Sequence, residues 1–128
     1  MRGDDVSVNR VSACQDLTQA LVTTGFGYSP QQRARQAHVV HALLPEVRDI
    51  RRTGCAVVDF CWLASGRLDA YYERGLNAWD MAAGALIAEE AGAVVTGVDG
   101  ADPAMVAAPA AIAQELRTRV HALHLEVF

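Results

Sequence analysis

The sequence predicts a layered α/β/α domain, in which a mostly parallel sheet lies between helices. Short apolar runs that end on glycine alternate along the chain with longer segments of helical spacing. This alternation is typical of a parallel sheet covered on both faces. The chain has 128 residues, of which 52% are hydrophobic, and that is enough for one core. We therefore expect one α/β domain over residues 10–128, after a polar, loosely ordered segment at residues 1–9.

Three short strands are predicted in the first half of the domain. Arg10–Cys14 can start one, and the second half of Leu17–Gly27 predicts another, because it mixes apolar and β-branched residues and ends on glycines. Val47–Arg52 predicts the third, which ends at a Thr53-Gly54 turn.

The first predicted helix begins at Ser29-Pro30, where serine can cap the helix and proline fits its first position. Pro45 ends the helix near Leu44, because the residue before a proline avoids helical geometry. Helical spacing places one set of side chains on a common face, which we expect to be the buried one: Ala34, Ala37, Val40, His41 and Leu44.

The middle of the chain is apolar from Ala56 to Ser65, apart from Asp59 and Ser65 themselves. The length of this run suits a buried strand or a helix, and we prefer the helix, with Gly66 as a plausible cap. Arg67–Arg74 alternates as a strand does and ends at Gly75.

The last third of the chain contains the clearest helix, Asp80–Ala91, where Asp80 can cap the start and Gly92 follows the end. Ala93–Thr96 and Ala104–Ala107 predict short strands on either side of a turn-rich loop. A final helix, Pro109–Leu123, carries one apolar stripe: Ile112, Leu116, Val120 and Leu123.

Composition excludes several function classes. All eleven basic residues are arginine, so the chain has no lysine for a Schiff base or a Walker-A motif. The net charge of −4 and the lack of a basic face argue against nucleic-acid binding. Three cysteines without a C-x-x-C spacing fit a reducing compartment. We find no secretory signal and no apolar run long enough for a membrane, and we expect a cytoplasmic protein.

Two acidic residues flank a predicted strand-to-helix loop. Glu73 ends a strand, Asp80 begins a helix, and Gly75 lies between them. Ligand sites of α/β sheets gather at such loops, where a carboxylate can bind Mg²⁺ and a helix N-terminus attracts phosphate. The simpler alternatives are that Asp80 only caps its helix and that Glu73 is a solvated charge.

Other possible sites are weaker. His38/His41 and His121/His124 each share a helix face, but no cysteine or carboxylate cluster accompanies them, so ordinary helix histidines are the preferred interpretation. Cys55 has no base nearby in the sequence and is expected to be a buried structural residue.

Residues Trp79–Gly92 closely resemble the second signature of the inositol monophosphatase family, W-D-x-A-A-G-x5-E-A-G. Three upstream segments are also similar to that family: Leu21–Tyr28, Gly54–Ala56 and Gly66–Glu73. The resemblance implies the fold of that family's C-terminal subdomain and a Mg²⁺-dependent phosphomonoesterase of inositol monophosphate or a related phosphorylated polyol. By position, Asp80 matches a metal-binding and substrate-binding aspartate. Glu73 matches the acid that binds substrate hydroxyls, and Ala56 matches a backbone contact to the sugar.

The family's first signature, D-P-[IL]-D-G-T, and an upstream glutamate ligand are missing from the chain. The resemblance therefore implies a C-terminal half that is inactive alone, because one carboxylate cannot assemble a site for several Mg²⁺ ions. A complementary N-terminal half or a homo-oligomer is the expected partner. The alternatives are a non-catalytic interaction module and a related phosphatase acting on histidinol phosphate, fructose bisphosphate or a phosphoadenosine nucleotide.

Overall fold

The computed structural model describes residues 9–128, so all but Asn9 of the segment predicted to be loosely ordered, residues 1–9, lies outside the described part. The described chain forms five strands and four α-helices. The strands are β1 Leu21–Thr24, β2 Asp49–Arg51, β3 Ala70–Glu73, β4 Ala93–Thr96 and β5 Met105–Pro109. The helices are α1 Pro30–Leu43, α2 Ala56–Ala64, α3 Ala78–Glu90 and α4 Ala110–Val127. None of these helices is both long and apolar enough to cross a membrane.

The strands form one sheet in the order β2-β1-β3-β5-β4. Strand β1 runs parallel to β2 and β3, whereas β5 runs antiparallel to β3 and β4. The predicted α/β class is confirmed, and the sheet is mixed because β5 alone runs against the other four strands. The physical reason is the connection from β4 to β5, a short turn-rich loop that can join antiparallel neighbours only, because parallel strands need a longer crossover.

Helices cover both faces of the sheet, as predicted. Helices α1 and α4 pack together on one face, and α2 and α3 pack together on the other. Alternate side chains of β3 point to opposite faces of the sheet. Ala70 and Tyr72 pack in the core beneath α1 and α4, and Tyr71 packs in the core beneath α2 and α3. The predicted stripe of α4 is confirmed, because its four residues are all buried: Ile112, Leu116, Val120 and Leu123.

Two local predictions are wrong. Residues 10–14 form no strand; the Val11 amide instead donates to the Ala91 carbonyl at 3.0 Å, which fixes this segment at the end of α3. Helix α1 is present, but it buries Gln36, Val39 and Leu43 rather than the face that contains Ala34, Ala37, His41 and Leu44. The Gln36 side chain accepts a hydrogen bond from the Gly27 amide at 2.9 Å, so a polar residue turns inward where spacing alone indicated alanine.

Candidate active site

The candidate site lies at the carboxyl ends of the three parallel strands. Strand β1 leads into Gly25, β2 leads through Thr53 into α2, and β3 ends on Glu73. In open α/β sheets this edge is where ligands bind, because the following loops and helix N-termini converge there. The topology therefore brings Glu73 and the first turn of α2 to one end of the sheet.

Glu73 is held rather than freely solvated. Its side chain is half-buried, and the Tyr71 hydroxyl donates to Oε1 at 2.7 Å. Burial raises the pKa of Glu73, while the Tyr71 hydrogen bond and the Arg52 guanidinium oppose the rise. Burial and the neighbouring Glu73 carboxylate raise the pKa of Tyr71, which keeps its proton in place as a donor. The solvated-charge alternative for Glu73 does not describe this environment.

Gly25 packs closely against the Glu73 carboxylate. A Cβ atom at this position would overlap the Glu73 carboxylate oxygen, so only glycine leaves room for the carboxylate where it stands. The glycine thus permits the close approach of a backbone to a charged side chain.

Ala56 is the first residue of α2, and it is partly buried. The residue before it, Cys55, makes no side-chain hydrogen bond as a cap, so the first turn of α2 keeps amide donors that can meet an acceptor. Cys55 is exposed, which corrects the expectation of a buried structural cysteine.

Asp80 is the third residue of α3 and does not cap it. The cap is Asn77, whose Oδ1 accepts from the Trp79 amide at 2.8 Å. The capping prediction for Asp80 is therefore wrong, because the helix begins earlier than its apolar spacing indicated. The Asp80 side chain is exposed at the helix N-terminus.

One carboxylate oxygen of Asp80 fits a Mg²⁺ ligand by its chemistry, since Mg²⁺ prefers oxygen donors. Within residues 9–128, however, no group of three or more His, Cys, Asp and Glu side chains is placed to hold a metal ion. Within the described residues, Asp80 therefore has no neighbouring set of such side chains that could complete a metal site with it.

Asp59 belongs to this region although the sequence did not single it out as a site residue. It is only 1% exposed, and its Oδ1 accepts from the Thr23 hydroxyl at 2.7 Å and from the Thr53 hydroxyl at 2.9 Å. Burial raises its pKa, while the two threonines and Arg52 lower it. The sequence signal that could have identified Asp59 is its position as an acidic residue inside an otherwise apolar helical segment.

One member of each histidine pair has another partner. His38 lies 3.6 Å from a carboxylate oxygen of Glu126. His124 is buried and its Nδ1 donates to the Val120 carbonyl at 2.8 Å, while burial lowers its pKa. Neither pair lies in a metal-ligating group within the part of the chain that the structure describes.

The raised pKa of Asp59 predicts the direction of a pH effect. A carboxyl group whose folded-state pKa lies above its unfolded value contributes stability below about pH 4. That stability is lost as the pH rises through the folded pKa. We therefore expect Asp59→Asn to gain stability relative to the wild type between about pH 4 and pH 7, by urea unfolding at each pH.

Asp102→Asn is the matched control of opposite sign. The Arg117 guanidinium holds the pKa of Asp102 below its usual value, so its contribution appears as the pH rises. Asp102→Asn should therefore lose stability relative to the wild type as the pH rises toward about pH 4, below the range in which Asp59→Asn gains. Parallel pH profiles for wild type and Asp59→Asn would contradict the assignment.

The sequence profile described as the inositol monophosphatase family matches residues 2–127, nearly the whole chain. The chain belongs to the inositol monophosphatase family. The family signature around Asp80 is thus confirmed as a true membership signal rather than a chance match.

Relatives in this family have two kinds of name. An inositol-1-monophosphatase of Mycobacterium bovis is 50% identical over 113 residues, covering 85% of this chain and 39% of the relative. A Nus factor SuhB of Haemophilus influenzae is 35% identical, covering 94% of this chain and 49% of the relative. The chain therefore spans less than half the length of these two inositol monophosphatase family proteins.

Solved structures of the family confirm the fold. The Mycobacterium tuberculosis SuhB structure superimposes with a TM-score of 0.83 at 48% identity, over 91% of this chain and 47% of that one. The mixed five-stranded sheet and four helices are thus a family architecture.

Proposed function

We propose that this chain is the polyol-binding part of a Mg²⁺-dependent phosphomonoesterase acting in the cytoplasm on inositol monophosphate or a related phosphorylated polyol. One observation carries the proposal: the Glu73 carboxylate is fixed by Tyr71 and backed by Gly25, at the sheet edge where α2 presents its first amides. A carboxylate accepts hydrogen bonds from neighbouring hydroxyls, and a backbone amide donates to a hydroxyl oxygen. Family membership supplies the reaction class.

Three residues have roles in this proposal. Glu73 accepts hydrogen bonds from the polyol hydroxyls, and the Ala56 amide donates to a polyol oxygen. Asp80 supplies one carboxylate oxygen to the metal and contacts the substrate. Mg²⁺, when bound with further ligands, supplies charge neutralisation at the phosphate and an activated water. Because no group of three or more His, Cys, Asp and Glu side chains within residues 9–128 could hold a metal ion, we propose that the chain alone does not turn over substrate.

The test is titration of the 128-residue chain with inositol 1-phosphate and Mg²⁺, followed by backbone amide NMR. We expect shifts at Ala56 and Glu73 and no release of phosphate. Glu73→Gln should weaken binding about tenfold, because a charged acceptor makes stronger hydrogen bonds than an amide. The exposed Glu90→Gln on α3 is the control and should leave affinity unchanged.

Two results would contradict this function. Hydrolysis of inositol 1-phosphate by the chain alone would show that its metal site is complete. Tighter binding of histidinol phosphate, fructose bisphosphate or a phosphoadenosine nucleotide than of inositol 1-phosphate would show that the substrate belongs to another class.

A second candidate is a non-catalytic interaction module. Five large apolar side chains of α2 and α3 are exposed, and three of them are more than half exposed: Val57 at 55%, Trp79 at 84% and Leu86 at 62%. Exposed apolar surface of this kind marks interaction sites or drives association. Several relatives are named Nus factor SuhB, which is a name for a factor rather than for an enzyme. We propose a second copy or a complementary N-terminal half as the partner.

Self-association is the expected behaviour of the purified chain. Light scattering after gel filtration should show species larger than the monomer, and a hydrophobic dye should fluoresce on binding. Leu86→Glu should reduce both signals, whereas Ala82→Glu, at an exposed alanine of the same helix, should change them less. A monomer that binds no dye would argue against the interaction module.

A further inference from the structure

The buried Asp59 carboxylate is connected to the start of its own helix by a single threonine. The Thr53 hydroxyl lies 2.9 Å from Asp59 Oδ1 and 3.2 Å from the Cys55 carbonyl. A hydroxyl has one proton, and the carboxylate is both the nearer and the stronger acceptor, so Thr53 donates to Asp59.

The same threonine oxygen then accepts from the main chain. The Cys55 amide donates to Thr53 Oγ1 at 3.2 Å. The Cys55 carbonyl in turn accepts the first helical bond of α2, from the Asp59 amide at 3.0 Å. Thr53 therefore binds the amide of Cys55 and Asp59 binds its carbonyl, so the two residues fix the turn that precedes Ala56.

Asp59 also connects this turn to the sheet. Its Oδ1 accepts from the Thr23 hydroxyl at 2.7 Å, and Thr23 lies in β1, next to both β2 and β3. Both threonine hydroxyls thus meet at one oxygen atom, in a place that is almost fully buried. A buried and satisfied network of this type specifies one arrangement of its members.

We propose that Asp59 is a positioning residue of the polyol site, which acts through Thr53 to hold the Cys55–Ala56 turn against the end of the sheet. It does not touch the ligand. It orients the Ala56 amide that would donate to a polyol oxygen, and this last step rests on the proposed function. The function of Asp59 depends on Oδ1 as a hydrogen-bond acceptor, because both threonines donate to that atom.

The first test needs no ligand. Amide hydrogen exchange of Cys55 should become about tenfold faster in Thr53→Val, because the variant keeps the shape of threonine but loses the hydroxyl that accepts from this amide. Thr53→Ser keeps the hydroxyl and should stay within about twofold of the wild type. Thr18→Val removes an exposed hydroxyl that donates to Asp16, and it is the control for loss of any threonine hydroxyl. Unchanged exchange in Thr53→Val would overturn the proposal.

Substitution of Asp59 separates the acceptor from the charge. Asp59→Asn keeps Oδ1, so the Cys55 amide should exchange nearly as slowly as in the wild type. In Asp59→Leu the Cys55 amide should exchange faster, as it does in Thr53→Val. Equal acceleration in both Asp59 variants would overturn the assignment to the acceptor atom. Exchange of the β5 amides should be unchanged in Thr53→Val, which distinguishes a local release from global unfolding.

Titration with myo-inositol, monitored at the Ala56 amide, tests the connection to the ligand. We expect Thr53→Val to bind myo-inositol several-fold more weakly, and Thr53→Ser to bind as the wild type does. Equal affinity of wild type and Thr53→Val would show that the turn does not position the ligand. If myo-inositol shifts no amide of the wild type while Thr53→Val still accelerates Cys55 exchange, the proposed function fails and the structural role of Asp59 stands.

Discussion

Replacing Gly84 with valine is expected to lower the free energy of unfolding by about 3 kcal/mol, at the upper end of the usual cost of overpacking. Gly84 is buried in α3, and a Cβ atom there would overlap the ring of Phe60 in α2. Valine adds two further carbons to that overlap, so the two helices must move apart. Urea unfolding followed by circular dichroism measures the change.

Ala83→Val is the matched control, because Ala83 precedes Gly84 in the same helix but is exposed. It should cost less than about 1 kcal/mol, the difference in helix propensity alone. Phe60→Leu should recover part of the loss in Gly84→Val, since residues in contact give non-additive energies. Equal costs for the two valine variants would show that α2 and α3 do not approach as closely as described.

Replacing Gly25 with alanine is expected to weaken polyol binding by about tenfold or more, with a smaller effect on stability. The added Cβ would occupy the space of the Glu73 carboxylate, which must then leave the Tyr71 hydroxyl. A half-buried carboxylate without its donor is a poorer and misplaced acceptor. NMR titration with inositol 1-phosphate measures the affinity, and the chemical shift of the Glu73 amide reports the displacement.

Gly27→Ala is the control for this effect. A Cβ at Gly27 would meet the end of the Gln32 side chain, which is flexible, and would not meet Glu73. The variant should therefore bind polyol as the wild type does. If Gly25→Ala also retains wild-type affinity, the Glu73 carboxylate is not the polyol acceptor.

Several elements could be predicted because their signals are local. Ser29 and Pro30 start α1 as predicted, since capping and a fixed proline φ act within one turn. The stripe of α4 is buried as predicted, and β4 has the predicted bounds. The family signature around Asp80 is likewise a local pattern, and it identified the family.

Other features depended on contacts between distant residues. The buried face of α1 was predicted wrongly because Gln36 finds a backbone partner at Gly27, which compensates the burial of a polar group. The start of α3 was misplaced because Asn77, rather than the acidic Asp80, supplies the cap. The mixed sheet followed from the return of β5 between β3 and β4.

Residue spacing was sufficient for the α/β class and most helices, and the resemblance of Trp79–Gly92 to a family signature was sufficient for the family, since each of these depends on neighbours along the chain. The tertiary structure decided which partners surround each acidic residue. It placed Asp59 beneath Thr23 and Thr53, and it set Glu73 between Tyr71 and Gly25. The reason is physical: a buried carboxylate is tolerated only where donors reach it, and Thr23 in β1 reaches Asp59 in α2 only once the chain has folded.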